Sequence, residues 1–117
     1  MNTEEITDFC NQLPHVTADF PFGEDTLVFR VAGKIFLLLS LDTQPARFNA
    51  KSEPQKAIEL RENYPAILPG YHMNKTHWNT VVCDGSLPKK LIKECILDSY
   101  NLIFKALPAK VRKQLGE

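Results

Sequence analysis

One short segment, PGYHMNKTHWNTV from Pro69 to Val81, concentrates the side chains of this sequence that are able to do chemistry. It holds two histidines, a lysine, a tyrosine and the only tryptophan of the chain. Imidazoles bind metals, move protons or contact phosphates, and aromatic rings pack in cores or stack on bases. The function therefore depends on which of these side chains the fold buries and which it displays.

The segment has the form of a β-hairpin with Asn74 and Lys75 at its tip. Residues equally distant from the tip then face each other, which pairs His72 with His77 on one face and Tyr71 with Trp78 on the other. Aromatic pairs are at home against a sheet core. We therefore expect the aromatic pair to hold the hairpin, and the two histidines and Lys75 to be displayed.

Enzymatic and metal chemistry find little support in the sequence. A zinc site needs three or four ligands, and no third Cys, His or carboxylate stands at motif spacing beside His72 and His77. The chain has no nucleophile elbow, Gly-rich phosphate loop or HExxH motif. We predict no enzymatic activity, no cofactor and no metal. A metal-dependent activity at the two histidines stays a minor alternative, which bound metal in the purified protein would support.

A second polar group lies in ARFNAK, which alternates in the manner of a half-exposed strand. Phe48 and Ala50 point inward, while Arg47, Asn49 and Lys51 point outward. Together with the hairpin this strand offers one polar sheet face that carries cations and hydrogen-bonding groups. Such a face suits phosphate and base-edge contacts.

The formal net charge is zero, but its distribution is uneven. The first 25 residues carry six acidic residues and no Lys or Arg, so the remainder has a net charge of +6. A neutral protein can thus present a basic face. Because duplex affinity comes largely from released counterions, zero net charge favours a weak or partner-assisted DNA binder over a tight repressor.

The elements around these groups follow from apolar spacing and from proline. A first helix has Thr3 as its predicted N-cap, and Pro14 ends it. Two strand-like runs, TLVFRVA and IFLLLSL, are separated by the hairpin signal GK. The second run is apolar on both faces apart from Ser40, which predicts a central strand covered on each side.

The second half of the chain follows the same pattern. SEPQ has the form of a capping box and starts a helix that reaches about Asn63. YPAILPGY is a proline-rich connection, WNTVV reads as a strand, and Pro88 opens the longest helix, which Pro108 interrupts before a basic tail. We predict one α+β domain over residues 1–117, with a mainly antiparallel sheet on which an N-terminal, a middle and a long C-terminal helix pack.

The cysteines and the N-terminus indicate a cytoplasmic protein. Cys10, Cys83 and Cys95 are widely spaced and form no CxxC pair, which argues against a disulfide framework. Cys10 and Cys95 fall on apolar helix faces and are expected to be buried and reduced. The acidic start lacks the basic and apolar regions of a signal peptide, and no apolar run approaches the roughly 18 residues of a membrane span.

Three segments together carry a family resemblance: Phe48 to Pro65, Pro69 to Val81 and Asp84 to Pro108. The most specific part is Gly70 to Asn79, GYHMNKTHWN, to which Lys51 and the Ser-Tyr pair of the last helix add. On these residues the chain resembles the MmcQ/YjbR family of small bacterial proteins over essentially its whole length. The resemblance implies a double-wing α+β fold and, by analogy of fold, DNA binding. It implies no catalytic residues.

Our first functional hypothesis is a DNA-binding protein, weak or helped by a protein partner, that lays the exposed sheet face and the hairpin tip at Asn74 on a duplex. Three cations would meet phosphates, namely Arg47, Lys51 and Lys75. Three further side chains would add groove contacts, namely Asn49, His72 and His77.

The alternative hypothesis is a non-enzymatic module that binds a protein or a small ligand. The aromatic loops DFPFGED and YPAILPGY would then line a pocket or a partner groove. Exposure of Phe20, Phe22 and Tyr64 would favour this alternative, whereas burial of the same side chains would indicate core packing.

Overall fold

The computed structural model describes residues 1–116. In chain order its helices and strands are α1 (Thr3–Asn11), β1 (Val16–Asp19), β2 (Thr26–Val31), β3 (Lys34–Ser40), β4 (Arg47–Lys51), α2 (Pro54–Asn63), β5 (Ile67–Pro69), β6 (Trp78–Val82), α3 (Lys89–Lys105) and α4 (Ala109–Gln114). The strands form one sheet in the order β1-β2-β3-β4-β6-β5, in which all neighbours are antiparallel. The predicted α+β fold with a mainly antiparallel sheet is confirmed.

The helix starts follow local capping, one residue away from the predicted caps. Asn2, rather than Thr3, caps α1, because its side chain accepts from the backbone N–H of Glu5 at 2.8 Å and Glu5 accepts in return from Asn2. Glu53, rather than Ser52, caps α2 by accepting from two first-turn backbone N–H groups. Ser52 is buried, and its backbone N–H donates to the backbone carbonyl of His77.

Two elements were not predicted from the sequence. The segment after Pro14 contains β1, a short edge strand that pairs with β2. The basic tail after Pro108 forms the short helix α4. Neither contributes a fully buried side chain, so neither has the apolar periodicity on which a sequence-based assignment rests.

The core lies on one face of the sheet, under α1, α2 and α3. Phe48 and Ala50 of β4 point into it as predicted, and Arg47, Asn49 and Lys51 are only partly buried on the opposite face. α3 supplies the largest helical share of the core, in the side chains Ile92, Cys95, Ile96 and Tyr100. The cysteines are buried and free.

A β-bulge at Phe36 divides β3 and corrects one prediction. Ile35 pairs with Arg30 but Leu37 pairs with Phe29, so Phe36 is an extra residue. As a result the adjacent Phe36 and Leu37 are both buried, whereas Ile35 and Leu38 are half-buried on the helix-free face. The expectation of a strand covered on each side was therefore wrong: helices cover one face of β3, and the other face stays open.

No helix of residues 1–116 is long and apolar enough to cross a membrane.

The edges of the sheet are short. β1 has four residues and β5 has three, the last of which is Pro69. Proline cannot donate to a further strand, so Pro69 limits further strand pairing at the β5 edge of the sheet.

Candidate ligand-binding site

The loop between β5 and β6 differs from the predicted hairpin by one residue of register. Pro69 pairs with Asn79 and Ile67 with Val81, and the strand pairing ends before Tyr71. The proposed opposition of His72 to His77 and of Tyr71 to Trp78 is therefore wrong. A shift of one residue in strand register moves side chains to the other face of a sheet. The Tyr71 side chain is 66% exposed, and its ring lies against the His72 ring with 4.0 Å between the ring centroids.

The loop is shaped by hydrogen bonds to its own backbone. The N–H of Gly70 donates to the Trp78 carbonyl at 2.9 Å, and the Lys75 ammonium donates to the Gly70 carbonyl at 3.0 Å. A Cβ atom on Gly70 would lie 2.8 Å from the Trp78 carbonyl oxygen, so only glycine allows this approach. The Asn74 side chain accepts from the Thr76 N–H at 2.9 Å. The tip residues Asn74 and Lys75 thus help to hold the loop closed.

Two neighbouring elements fix the loop in place. Arg61 of α2 donates to the Lys75 carbonyl at 2.7 Å. On the open face, Asn49 donates to the Tyr71 carbonyl at 3.0 Å and accepts from the Thr80 hydroxyl. Thr80 also accepts from the Tyr71 N–H at 3.0 Å. The loop therefore stands as a rigid wall beside the open sheet face.

This wall closes one side of a groove of about 600 Å³. The floor is the helix-free face of β2, β3 and β4, and the other walls are the loops before β2 and after β3. Most of the surface area that lines the groove is apolar. The lining residues are Phe22, Asp25, Thr26, Ile35, Leu38, Ser40, Asp42, Thr43, Arg47, Asn49, Tyr71, His72 and Met73. An apolar concavity with a few convergent polar groups is the usual form of a small-ligand site.

Two residues that line this groove each hold a polar atom that is closed to solvent and has no hydrogen-bond partner within residues 1–116: Arg47 Nε and Thr43 Oγ1. Arg47 also has no carboxylate within ion-pair distance in that range, although Asp25 and Asp42 line the same groove. Buried polar groups in proteins are nearly always paired. These two atoms make the Arg47 end of the groove its chemically distinctive part.

Comparison with known proteins assigns the family. The model of the YjbR family matches residues 11–102. The chain belongs to the YjbR family. It is 39% identical to the uncharacterized protein YbdF of Escherichia coli O157:H7 over 89% of this chain and 85% of YbdF. It is also 29% identical to the uncharacterized protein YjbR of Escherichia coli K12 over 98% of both chains.

Solved structures of similar proteins share the fold. Protein DR2400 of Deinococcus radiodurans, which contains a DUF419 domain, is 37% identical with a TM-score of 0.93, covering 98% of this chain and 88% of DR2400. A protein from Pseudomonas syringae is 32% identical with a TM-score of 0.77, covering 88% of this chain and 99% of its own. The arrangement of sheet and helices is therefore shared among these relatives.

The structure of this YjbR-family protein separates the predicted site residues into three groups. Arg47, Asn49 and His72 line the groove, although Asn49 is engaged with the loop wall. Lys51 and His77 lie outside the groove: Lys51 pairs with Trp78 at the end of β4, and the His77 carbonyl accepts from Ser52. The tip residues described above, Asn74 and Lys75, form the third group and are bonded within the loop.

Several groove residues were missed by the sequence-based prediction. Ile35 and Leu38 reach the groove only because of the bulge in β3, and Thr43 lies between β3 and β4 in a segment to which the sequence analysis gave no role. Met73 was treated as part of the motif without a role. Phe22 was not missed, because the alternative hypothesis placed its loop at a pocket, and the side chain is 67% exposed.

Another hollow, of about 690 Å³ and so slightly larger than the groove, lies along the outer surface of α3. Its lining comes from that single helix, so it has no opposing wall. Within residues 1–116, no three His, Cys, Asp or Glu side chains come together as a metal site requires. The sheet-face groove is accordingly the candidate site of this YjbR-family protein.

Proposed function

We propose that this YjbR-family protein is a non-enzymatic binding module that takes a small, largely apolar ligand into the groove on its open sheet face. The observation that carries the proposal is an apolar groove with exposed aromatic side chains at its rim, Phe22 on one side and Tyr71 on the other. Exposed aromatics lose solvent contact when a flat ligand stacks on them, which favours binding.

The exposure of Phe22 supports a role in ligand binding rather than in core packing. Phe20 and Phe22 are 51% and 67% exposed, whereas Tyr64 packs against the core. Phe22 lines the groove and Phe20 does not. The two side chains belong to one loop and share a chemical type, so they form a matched pair for an experiment.

A titration with 1-naphthamide, a neutral planar probe, tests the proposal by NMR of the 15N-labelled protein. At about 0.3 kcal/mol for each of about thirteen non-hydrogen atoms, the probe should bind with a Kd of about 1 mM. We expect shifts at groove residues, a weaker interaction for Phe22→Ala and an unchanged one for Phe20→Ala. Scattered shifts, or equal loss in both variants, would refute a groove site.

DNA binding is the second candidate, favoured by the two outward cations of β4. Arg47 and Lys51 point away from the core and have no ion-pair partner within residues 1–116. Each phosphate contact contributes about one unit to the slope of log affinity against log salt. If this face meets DNA, Lys51→Ala should reduce that slope by about one unit in fluorescence anisotropy with a mixed-sequence duplex.

Lys75 serves as the comparison in the DNA experiment. Its ammonium donates to the Gly70 carbonyl, so a phosphate would have to compete with that hydrogen bond. Lys75→Ala should leave the slope nearly unchanged if the cations of β4 carry the contact. Absence of any salt-sensitive binding at about 50 mM salt would remove DNA as a candidate and leave the groove ligand.

A further inference from the structure

We propose that the groove contains an oxyanion subsite formed by Arg47 and Thr43, so that its ligand combines a planar apolar body with a carboxylate or phosphate group. This inference rests on the proposed function and adds the chemical class of the ligand. The structural basis is that Arg47 and Thr43 both line one groove. Each holds a polar atom, Arg47 Nε or Thr43 Oγ1, that is closed to solvent and has no hydrogen-bond partner within residues 1–116.

The two atoms have complementary needs. Arg47 Nε is a donor only, whereas the Thr43 hydroxyl both donates and accepts. A negatively charged oxygen that meets either atom accepts a hydrogen bond from it, which satisfies a group that otherwise loses its hydration without compensation. Both atoms are closed to solvent in this structure, so the two side chains must turn toward the groove to meet the ligand. A carboxylate or a phosphate supplies two or more such oxygens, and an arginine fork matches that geometry.

The surroundings strengthen the attraction at the Arg47 end. Ile35 and Leu38 form an apolar part of the floor, and hydrogen bonds are electrostatically stronger beside apolar surface than in water. Asp25 and Asp42 also line the groove, but both residues are exposed. The two carboxylates reach solvent, where the high dielectric weakens their repulsion of an anion, whereas Arg47 Nε is closed to solvent.

Phe22 and Tyr71 define the remainder of the ligand. Both aromatic side chains stand at the rim of the same groove, and Met73 adds a flexible apolar surface that adapts to the shape of a ligand. The lining therefore fits a flat apolar ring that carries one charged end.

Three probes of nearly equal size separate the two parts of this inference: 1-naphthamide, 1-naphthoate and 1-naphthyl phosphate. They share the planar ring and differ in the charge of one substituent. Each is titrated by NMR into the 15N-labelled wild-type protein, Arg47→Met and Lys51→Met. Lys51 is the matched control, since it is an outward cation of the same strand that does not line the groove.

We expect wild-type protein to bind at least one anionic probe about tenfold more tightly than 1-naphthamide, as a charge-assisted hydrogen bond implies. Arg47→Met should abolish this preference and leave 1-naphthamide binding in place, while Lys51→Met should retain the preference. The tighter of the two anionic probes then identifies the oxyanion as carboxylate or phosphate. Thr43→Val provides a second, nearly isosteric variant, for which a several-fold loss of anion preference is expected.

Two results would overturn the inference. If the three probes bind wild-type protein equally, or if the preference persists in Arg47→Met, the subsite does not exist, although the groove still binds ligands. If no probe shifts the groove resonances at all, the proposed function fails together with the subsite. The neutral probe thus distinguishes the two failures.

Discussion

The substitution Ser99→Ala tests how the fold holds the bulge of β3. Ser99 of α3 is fully buried. Its hydroxyl donates to the carbonyl of Phe36, the bulge residue, and accepts from the backbone N–H of Lys51 at 2.8 Å. A bulge leaves backbone groups outside the regular ladder, so one side chain satisfies a carbonyl of β3 and an N–H of β4 together.

Loss of this hydroxyl should lower the free energy of unfolding by about 2 to 4 kcal/mol. The Phe36 carbonyl and the Lys51 N–H would each be left buried without their partner, at a cost of about 1 to 2 kcal/mol apiece. For a domain of this size that loss lowers the Tm by roughly 10 °C. The variant should still fold, because domains have about 5 to 15 kcal/mol of stability.

Equilibrium unfolding in urea, followed by circular dichroism, measures the loss. Ser86→Ala is the control, since the Ser86 hydroxyl bonds only Asp84 at an exposed turn and should contribute less than about 0.5 kcal/mol. Hydrogen exchange of the Lys51 amide should accelerate in Ser99→Ala. A loss as small as that of the control, with Lys51 exchange unchanged, would refute this account of the bulge.

Three further predictions concern the loop and the thiols. Gly70→Ala should lower the free energy of unfolding by about 1 to 3 kcal/mol, because its Cβ would lie 2.8 Å from the Trp78 carbonyl; urea unfolding followed by the fluorescence of Trp78 measures this, and wild-type stability would contradict it. Lys75→Met should cost about 1 kcal/mol through the lost bond to the Gly70 carbonyl without changing 1-naphthamide affinity; lost affinity in NMR titration would mean that the loop does not stand rigidly by itself. Burial raises the pKa of Cys10 and of Cys95 to about 12. Thiols of the unfolded chain lose their protons from about pH 8.5, whereas the folded ones keep theirs. The free energy of unfolding should therefore fall between about pH 9 and 12 by up to about 1.4 kcal/mol per pH unit for each thiol. Urea unfolding at several pH values checks this, and a pH dependence that Cys10→Ala leaves unreduced would argue against it.

The sequence was sufficient to predict which side chains face the core wherever apolar and polar residues alternate within a single strand. ARFNAK alternates between apolar and polar residues, so the faces of Phe48 and Asn49 follow from a period of two, whatever the neighbouring strands are. Proline and apolar spacing likewise located α1, α2 and α3 within a residue or two. These features are local and need no knowledge of the tertiary structure.

The bulge and the loop register could not be predicted because both depend on partners distant in sequence. IFLLLSL has no polar residue before Ser40 to mark which side faces solvent, so the extra residue at Phe36 left no trace in the pattern. The register of β5 with β6 depends on the close approach of Gly70 to Trp78. The groove could not be predicted for this reason, because the bulge shapes its floor and the loop between β5 and β6 forms one of its walls.

The loop between β5 and β6 has a consequence for how relatives should be compared. The residues that make its segment recognisable, such as Gly70, Asn74 and Lys75, are occupied in building the loop. Most groove residues, including Phe22 and Thr43, come from other parts of the chain. If the groove binds a ligand as proposed, two proteins can share this motif and its architecture while they select different ligands. Grouping relatives by ligand would then require alignment of the groove positions.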